Sequence, residues 1–98
     1  MSEILTIVAH ARAKPGQESR ALELLQGLIA PTRKEAGCID YDLHQSIDDP
    51  SLFVFYENWA TVKDFEAHGR SAHIQKFRQV LGEHLAEGPT ISKWKIVP

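Results

Sequence analysis

Residues 38–45 and 52–59 both read as strands, and only Ser46-Ile47-Asp48-Asp49-Pro50-Ser51 lies between them. No other feature constrains the fold as much. A link this short and this rich in turn formers returns the chain antiparallel to itself. The first run alternates, with Ile39, Tyr41 and Leu43 on one side and Asp40, Asp42 and His44 on the other. Such alternation marks a strand with one buried face. The second run, LFVFYENW, is aromatic, and Glu57 shares its parity with Phe53, Phe55 and Trp59.

The flanking segments complete a pattern. Residues 4–12 hold the β-formers Ile4, Leu5, Ile7 and Val8 and stop before the turn signal Lys14-Pro15-Gly16. A helix is predicted over 17–34. Leu22, Leu25 and Ile29, with Ala21, Leu28 and Thr32, make its apolar stripe. Pro31 removes one hydrogen bond of that helix, so it should kink near Gly27 or end early. Gly37 is placed to stop it. After the hairpin, Asn58 or Thr61 can cap a helix over 62–68, with Asp64 near its positive end. Gly69 interrupts it, and Ser71 can cap a restart that carries Ile74, Phe77, Leu81 and Leu85 as far as Gly88-Pro89. Residues 90–97 form the last strand.

The order is βαββαβ, an α+β ferredoxin-like arrangement in which four antiparallel strands carry both helices on one face. Val8, Phe53 or Val54, Trp94 and Ile96 are more apolar surface than one helical layer covers. A second copy packing sheet to sheet would bury the rest, so a homodimer is expected.

The chain has 98 residues, which suits one domain over 1–98. Its net charge of −2 and eleven scattered Lys and Arg residues argue against nucleic acid as a partner. Cys38 is the only cysteine, which excludes an internal disulfide or a Cys-based zinc site. Its setting reads as that of a half-buried small residue. No run is long enough for a membrane helix, and the N-terminus is wrongly flanked for a signal peptide. These features point to a cytoplasmic protein with no membrane partner.

Gly37-Cys38 and Tyr41, then Glu57 and Trp59 at the end of the third strand, then His68, Ser71 and His73, read as G-C-x-x-Y, an acidic residue with Trp, and H-x-x-S-x-H. In these motifs the chain resembles the antibiotic biosynthesis monooxygenase family, and within it small bacterial proteins described as quinol monooxygenases. The resemblance spans nearly the whole chain. It implies a dimeric α+β barrel with one pocket per subunit between sheet and helices. It also implies oxidation of aromatic hydroquinones by molecular oxygen with neither metal nor flavin. The sequence has no GxGxxG, no phosphate-binding loop and no close-spaced His/carboxylate metal motif, so no cofactor is expected. The family's haem-degrading branch carries an asparagine in the first strand, and residues 4–12 contain none.

A polyphenol brings its own electrons, because its phenolate reduces oxygen directly. The protein must take a proton, stabilise an anion and exclude water. His68, three residues after Phe65, is the first candidate for the proton. Its structural alternative is a buried imidazole bonded to a carbonyl at the Gly69 break. His73, one turn before Phe77, is the second. Glu57 among aromatics calls for a histidine or arginine partner. Tyr41 can donate its phenol to a substrate oxygen or simply pack. Trp59 is a core residue or a pocket floor, and Phe55, Phe65 and Phe77 are candidate walls. His10 points into the pocket or into the dimer seam. Asn58 reads as a helix cap, His44 and His84 as surface residues, and Arg33 and Arg70 as solvated cations with a possible anion contact. The leading expectation is a cofactor-independent quinol monooxygenase. Its competitors are an isomerase or other proton-transfer enzyme on a small carbonyl metabolite, and a non-catalytic small-molecule-binding dimer.

Overall fold

The computed structural model describes residues 3–98. The elements are β1 (Leu5–Ala13), α1 (Glu18–Gln26), α2 (Ile29–Arg33), β2 (Cys38–Gln45), β3 (Leu52–Trp59), α3 (Val62–Gly69), α4 (Ala72–His84) and β4 (Leu85–Trp94). The sheet is antiparallel with order β2-β3-β1-β4, the α+β ferredoxin-like topology. Among the described residues, no helix is long and apolar enough to cross a membrane.

Parity sorts the two faces. Ile7, Ala9 and Ala11 of β1 pair with Glu57, Phe55 and Phe53 of β3, and all six lie buried beneath the helices. The three small or β-branched residues of that β1 face, with Ala13, leave room for the rings of β3. From the helices, Ala21, Leu25, Leu28, Ile74 and Phe77 close the same core. The predicted long helix is broken at Gly27. The Leu28 amide donates to the Leu25 carbonyl at 3.1 Å, a tightened turn, and Pro31 then falls inside the short α2. The break turns Thr32 fully inward and sets Glu35 at the helix–strand junction.

Three expectations are corrected. The helix α4 stops at His84, and Leu85 already belongs to β4, where it pairs with Ala13. Leu85 is buried in either state, so apolar periodicity could not separate them. Gly88-Pro89 therefore lies within β4, at a register shift on an edge strand that tolerates proline. Ile39 leaves the alternation at a bulge between Cys38 and Asp40 and is half exposed. Asn58 is no cap. It accepts from Thr6 Oγ1 at 2.5 Å and donates to Asp40 Oδ2 at 3.0 Å, tying three strands together. Thr61 caps α3 instead, accepting from the Asp64 amide at 3.0 Å while its hydroxyl donates to Asp64 Oδ2 at 2.8 Å.

Gly37 has φ +80°, and a Cβ there would collide with the Asp64 side chain. Only glycine meets both conditions. Its carbonyl accepts from the Ala60 amide at 2.8 Å, which holds the end of β3 against the start of β2. On the face away from the helices lie Val8, Val54, Tyr56 and Trp94, with Tyr56 42% and Trp94 58% exposed. Phe53 is on the other face, in the core, and Ile96 lies beyond the end of β4.

Candidate active site

A cavity of about 360 Å³ lies between the sheet and the helices. Tyr41, Phe55, Glu57, Phe65, His68 and Phe77 all line it, so six of the nine residues singled out in the sequence meet there. Of the other three, Trp59 is fully buried beneath His68, their ring centres 4.8 Å apart. His73 sits behind His68, with 6.0 Å between ring centres. His10 is on the opposite face of the sheet, at a separate hollow of about 220 Å³ shared with His44 and Val54. Its even parity in β1 puts it there.

The walls are aromatic for a local reason. Tyr41 and Phe55 occupy neighbouring positions on adjacent strands and stack with ring centres 4.5 Å apart. Tyr41 also meets His68 edge-on at 5.6 Å. Burial, reinforced by the negative charge of Glu57, holds the Tyr41 phenol above its ordinary range, so it is a neutral donor. Burial likewise raises the Cys38 thiol, which keeps it protonated.

Glu57 is 3% exposed, and its partner is neither histidine nor arginine. The Trp59 indole N–H donates to Glu57 Oε1 at 3.0 Å. Burial pushes the Glu57 carboxyl up to about 7, against the lowering effect of the indole and with help from the charge of Glu35. A carboxyl that holds its proton to neutrality needs no cation beside it.

That shift carries a stability consequence. Glu57 binds its proton more tightly folded than unfolded, so its penalty is absent below about pH 4.5 and grows as pH rises to about 7. The full penalty above that window is about 3 kcal/mol on the linkage relation. Glu57→Gln should remove it, and the gap in urea midpoint between variant and wild type should widen from pH 4.5 to 7. A gap constant across that window would mean that Glu57 ionises freely.

His68 is held by a residue that sequence reasoning missed. His68 Nδ1 lies 2.7 Å from Glu35 Oε2, and His73 Nε2 lies 3.0 Å from the same oxygen. His73 Nε2 is also 3.0 Å from Thr32 Oγ1. Glu35 precedes Gly37 with no motif of its own. It is 33 residues from His68 and 38 from His73, so no short spacing could reveal it. The three residues each offer one ligand atom, all within 4.8 Å of one another. Folding thus assembles a His/carboxylate cluster that the linear search for such a motif could not see.

With Nδ1–H donated to Glu35, Nε2 of His68 keeps a lone pair. No buried side-chain nitrogen lacks a partner among the described residues, and His68 bonds only through Nδ1 and its backbone. Nε2 therefore opens onto the cavity. Burial lowers the His68 pKa, partly offset by its bond to Glu35 and that residue's charge, and the ring is neutral at neutral pH. Arg78 also lines the cavity, its guanidinium donating to the Gly69 carbonyl at 2.7 Å. Arg33 instead pairs with Asp42 at 3.0 Å. The α3–α4 break at Gly69 thus places both an imidazole and a cation at the cavity.

Comparison with known proteins gives a consistent answer. The family described as antibiotic biosynthesis monooxygenase matches residues 4–80. Rv0793 of Mycobacterium tuberculosis is 33% identical over 87% of this chain and 83% of its own length. The Escherichia coli protein named probable quinol monooxygenase YgiN is 31% identical over 80% of this chain and 85% of its own. The crystal structure of PA3566 from Pseudomonas aeruginosa superposes with a TM-score of 0.94 at 34% identity, covering 100% of this chain and 98% of that one.

Proposed function

This chain belongs to the antibiotic biosynthesis monooxygenase family, and from that premise we propose that it oxidises a small aromatic hydroquinone with molecular oxygen, using no cofactor. The observation that carries the reading is a neutral imidazole, tied at Nδ1 to Glu35, opening by Nε2 onto an aromatic cavity that also holds a carboxyl able to keep its proton up to about pH 7. His68 Nε2 takes the phenol proton. The phenolate passes an electron to oxygen, and the radical pair joins as a ring hydroperoxide. Glu57 supplies a proton to the departing oxygen as the O–O bond breaks, and the proton lost from the oxygenated ring carbon restores the carboxyl. One oxygen atom stays on the ring as a hydroxyquinone and the other leaves as water, so oxygen accepts the four electrons the ring gives up. Tyr41 and Phe55 stack on the flat substrate and exclude water.

The test is oxygen uptake by chelator-stripped protein against a panel of hydroquinones, corrected for autoxidation. Protein-dependent uptake that survives chelation supports the proposal, and uptake no greater than the blank across the panel overturns it. Two acid–base groups in one cavity also suit proton transfer on a small carbonyl metabolite. Turnover of such a compound without oxygen would favour that second reading.

The apolar face of Val8, Val54, Tyr56 and Trp94, whose two aromatic side chains are exposed, supports a second copy packed sheet to sheet. Trp94→Glu should then shift the mass measured by light scattering from dimer to monomer. A wild-type protein that is already monomeric would dispose of the dimer.

A further inference from the structure

We propose that Glu35, His68 and His73 bind a divalent transition-metal ion of borderline softness, of the Zn²⁺, Ni²⁺ or Cu²⁺ kind, and that loading it silences His68 as a base. The metal site rests on geometry alone, and only the silencing rests on the proposed function. The three residues are the only group of three such donors among the described residues. They come from separate segments: the α2–β2 junction, the last turn of α3 and the first turn of α4. Their side chains are 17%, 8% and 21% exposed, which limits competition from water.

The spacing fits. Two imidazole nitrogens lie 2.7 and 3.0 Å from one carboxylate oxygen. Adjacent donors around a six-coordinate ion with bonds of about 2.1 Å lie about 3 Å apart, as these two pairs do, and rotation of the imidazoles, whose nitrogens lie within 4.8 Å of each other, would close the set on the ion. Two imidazoles and one carboxylate suit zinc, nickel or copper better than calcium or magnesium, which want oxygen. Hydroxyls of Thr32 and Ser71 lie 3.0 and 3.4 Å from His73 Nε2, placed to hold water in an open coordination position.

Proton bookkeeping gives the consequence. A metal on His68 Nδ1 moves that ring's proton to Nε2. His68 then presents an N–H donor to the cavity and has no lone pair to accept a proton.

Chelator-stripped full-length protein would be titrated with Zn²⁺ by calorimetry and with Co²⁺ by visible absorption. The expected result is one ion per chain at about micromolar affinity or tighter. Glu35→Gln and His73→Asn should each weaken binding by roughly tenfold or more, while His44→Ala and His10→Ala leave it unchanged. If a variant fails to fold, the same decision comes from wild-type imidazole resonances, where His68 and His73 should move on adding Zn²⁺ and the other rings should not. Affinity no tighter than about millimolar, an unchanged affinity in Glu35→Gln or His73→Asn, or shifts confined to other histidines would overturn the site. Oxygen uptake that depends on added metal would overturn the silencing. Absence of uptake from both stripped and loaded protein would count against the oxygenase alone, because the titrations need no turnover.

Discussion

Replacing His68 by asparagine is expected to lower protein-dependent oxygen uptake by about two to four orders of magnitude, the usual worth of a positioned base. Asparagine keeps a polar group beside Glu35 but cannot take a proton. The pH profile should identify the loss. In wild type the rate should rise through a limb below the usual histidine range, because burial holds His68 low. It should fall again above about pH 7 as Glu57 loses the proton it supplies. In the variant the acidic limb should no longer level off where the histidine titrates: the rate should keep rising with the phenolate fraction until Glu57 deprotonates near pH 7, and stay flat above it. An oxygen electrode with a pH series reads both effects. A variant within about threefold of wild type, with the acidic limb intact, would remove His68 from the chemistry.

Gly37→Ala should destabilise the fold by about 2–4 kcal/mol, the sum of a left-handed backbone penalty and a disturbed helix cap. The added Cβ would meet the Asp64 side chain, which must withdraw from Thr61. The cap of α3 loosens, and His68 rides on α3. Urea denaturation should show the lower midpoint. Uptake should fall even where the protein is fully folded, because the imidazole is no longer held on Glu35. A midpoint unchanged within about 0.5 kcal/mol would mean the turn relaxes without reaching the helix.

How much of this was legible in the sequence depended on the range of the interaction. The hairpin was written in adjacent residues, and β2 and β3 fall at 38–45 and 52–59 as read. Period-two alternation also placed Tyr41, Phe55 and Glu57 on the cavity face, since strand parity is set locally. Helical spacing from Phe65 did the same for His68. The failures are non-local. The start of β4 was missed because a buried leucine reads alike in helix and strand. A charged partner for Glu57 is the wrong expectation because sequence shows the carboxylate but not the desolvation that raises its pKa. Glu35 was invisible, since only the break at Gly27 and the turn at Gly37 bring it against α3.

One oxygen atom of Glu35 serves two imidazoles, and this has an evolutionary consequence. The three positions are not equally free to drift. Losing His73 leaves the carboxylate to His68 alone, whereas losing Glu35 strands His68 and leaves His73 with Thr32 and Ser71 only. A substitution at 35 should therefore be tolerated only on a background already altered at 68. The order in which these residues change, and not only their identities, would decide which descendants keep a working cavity.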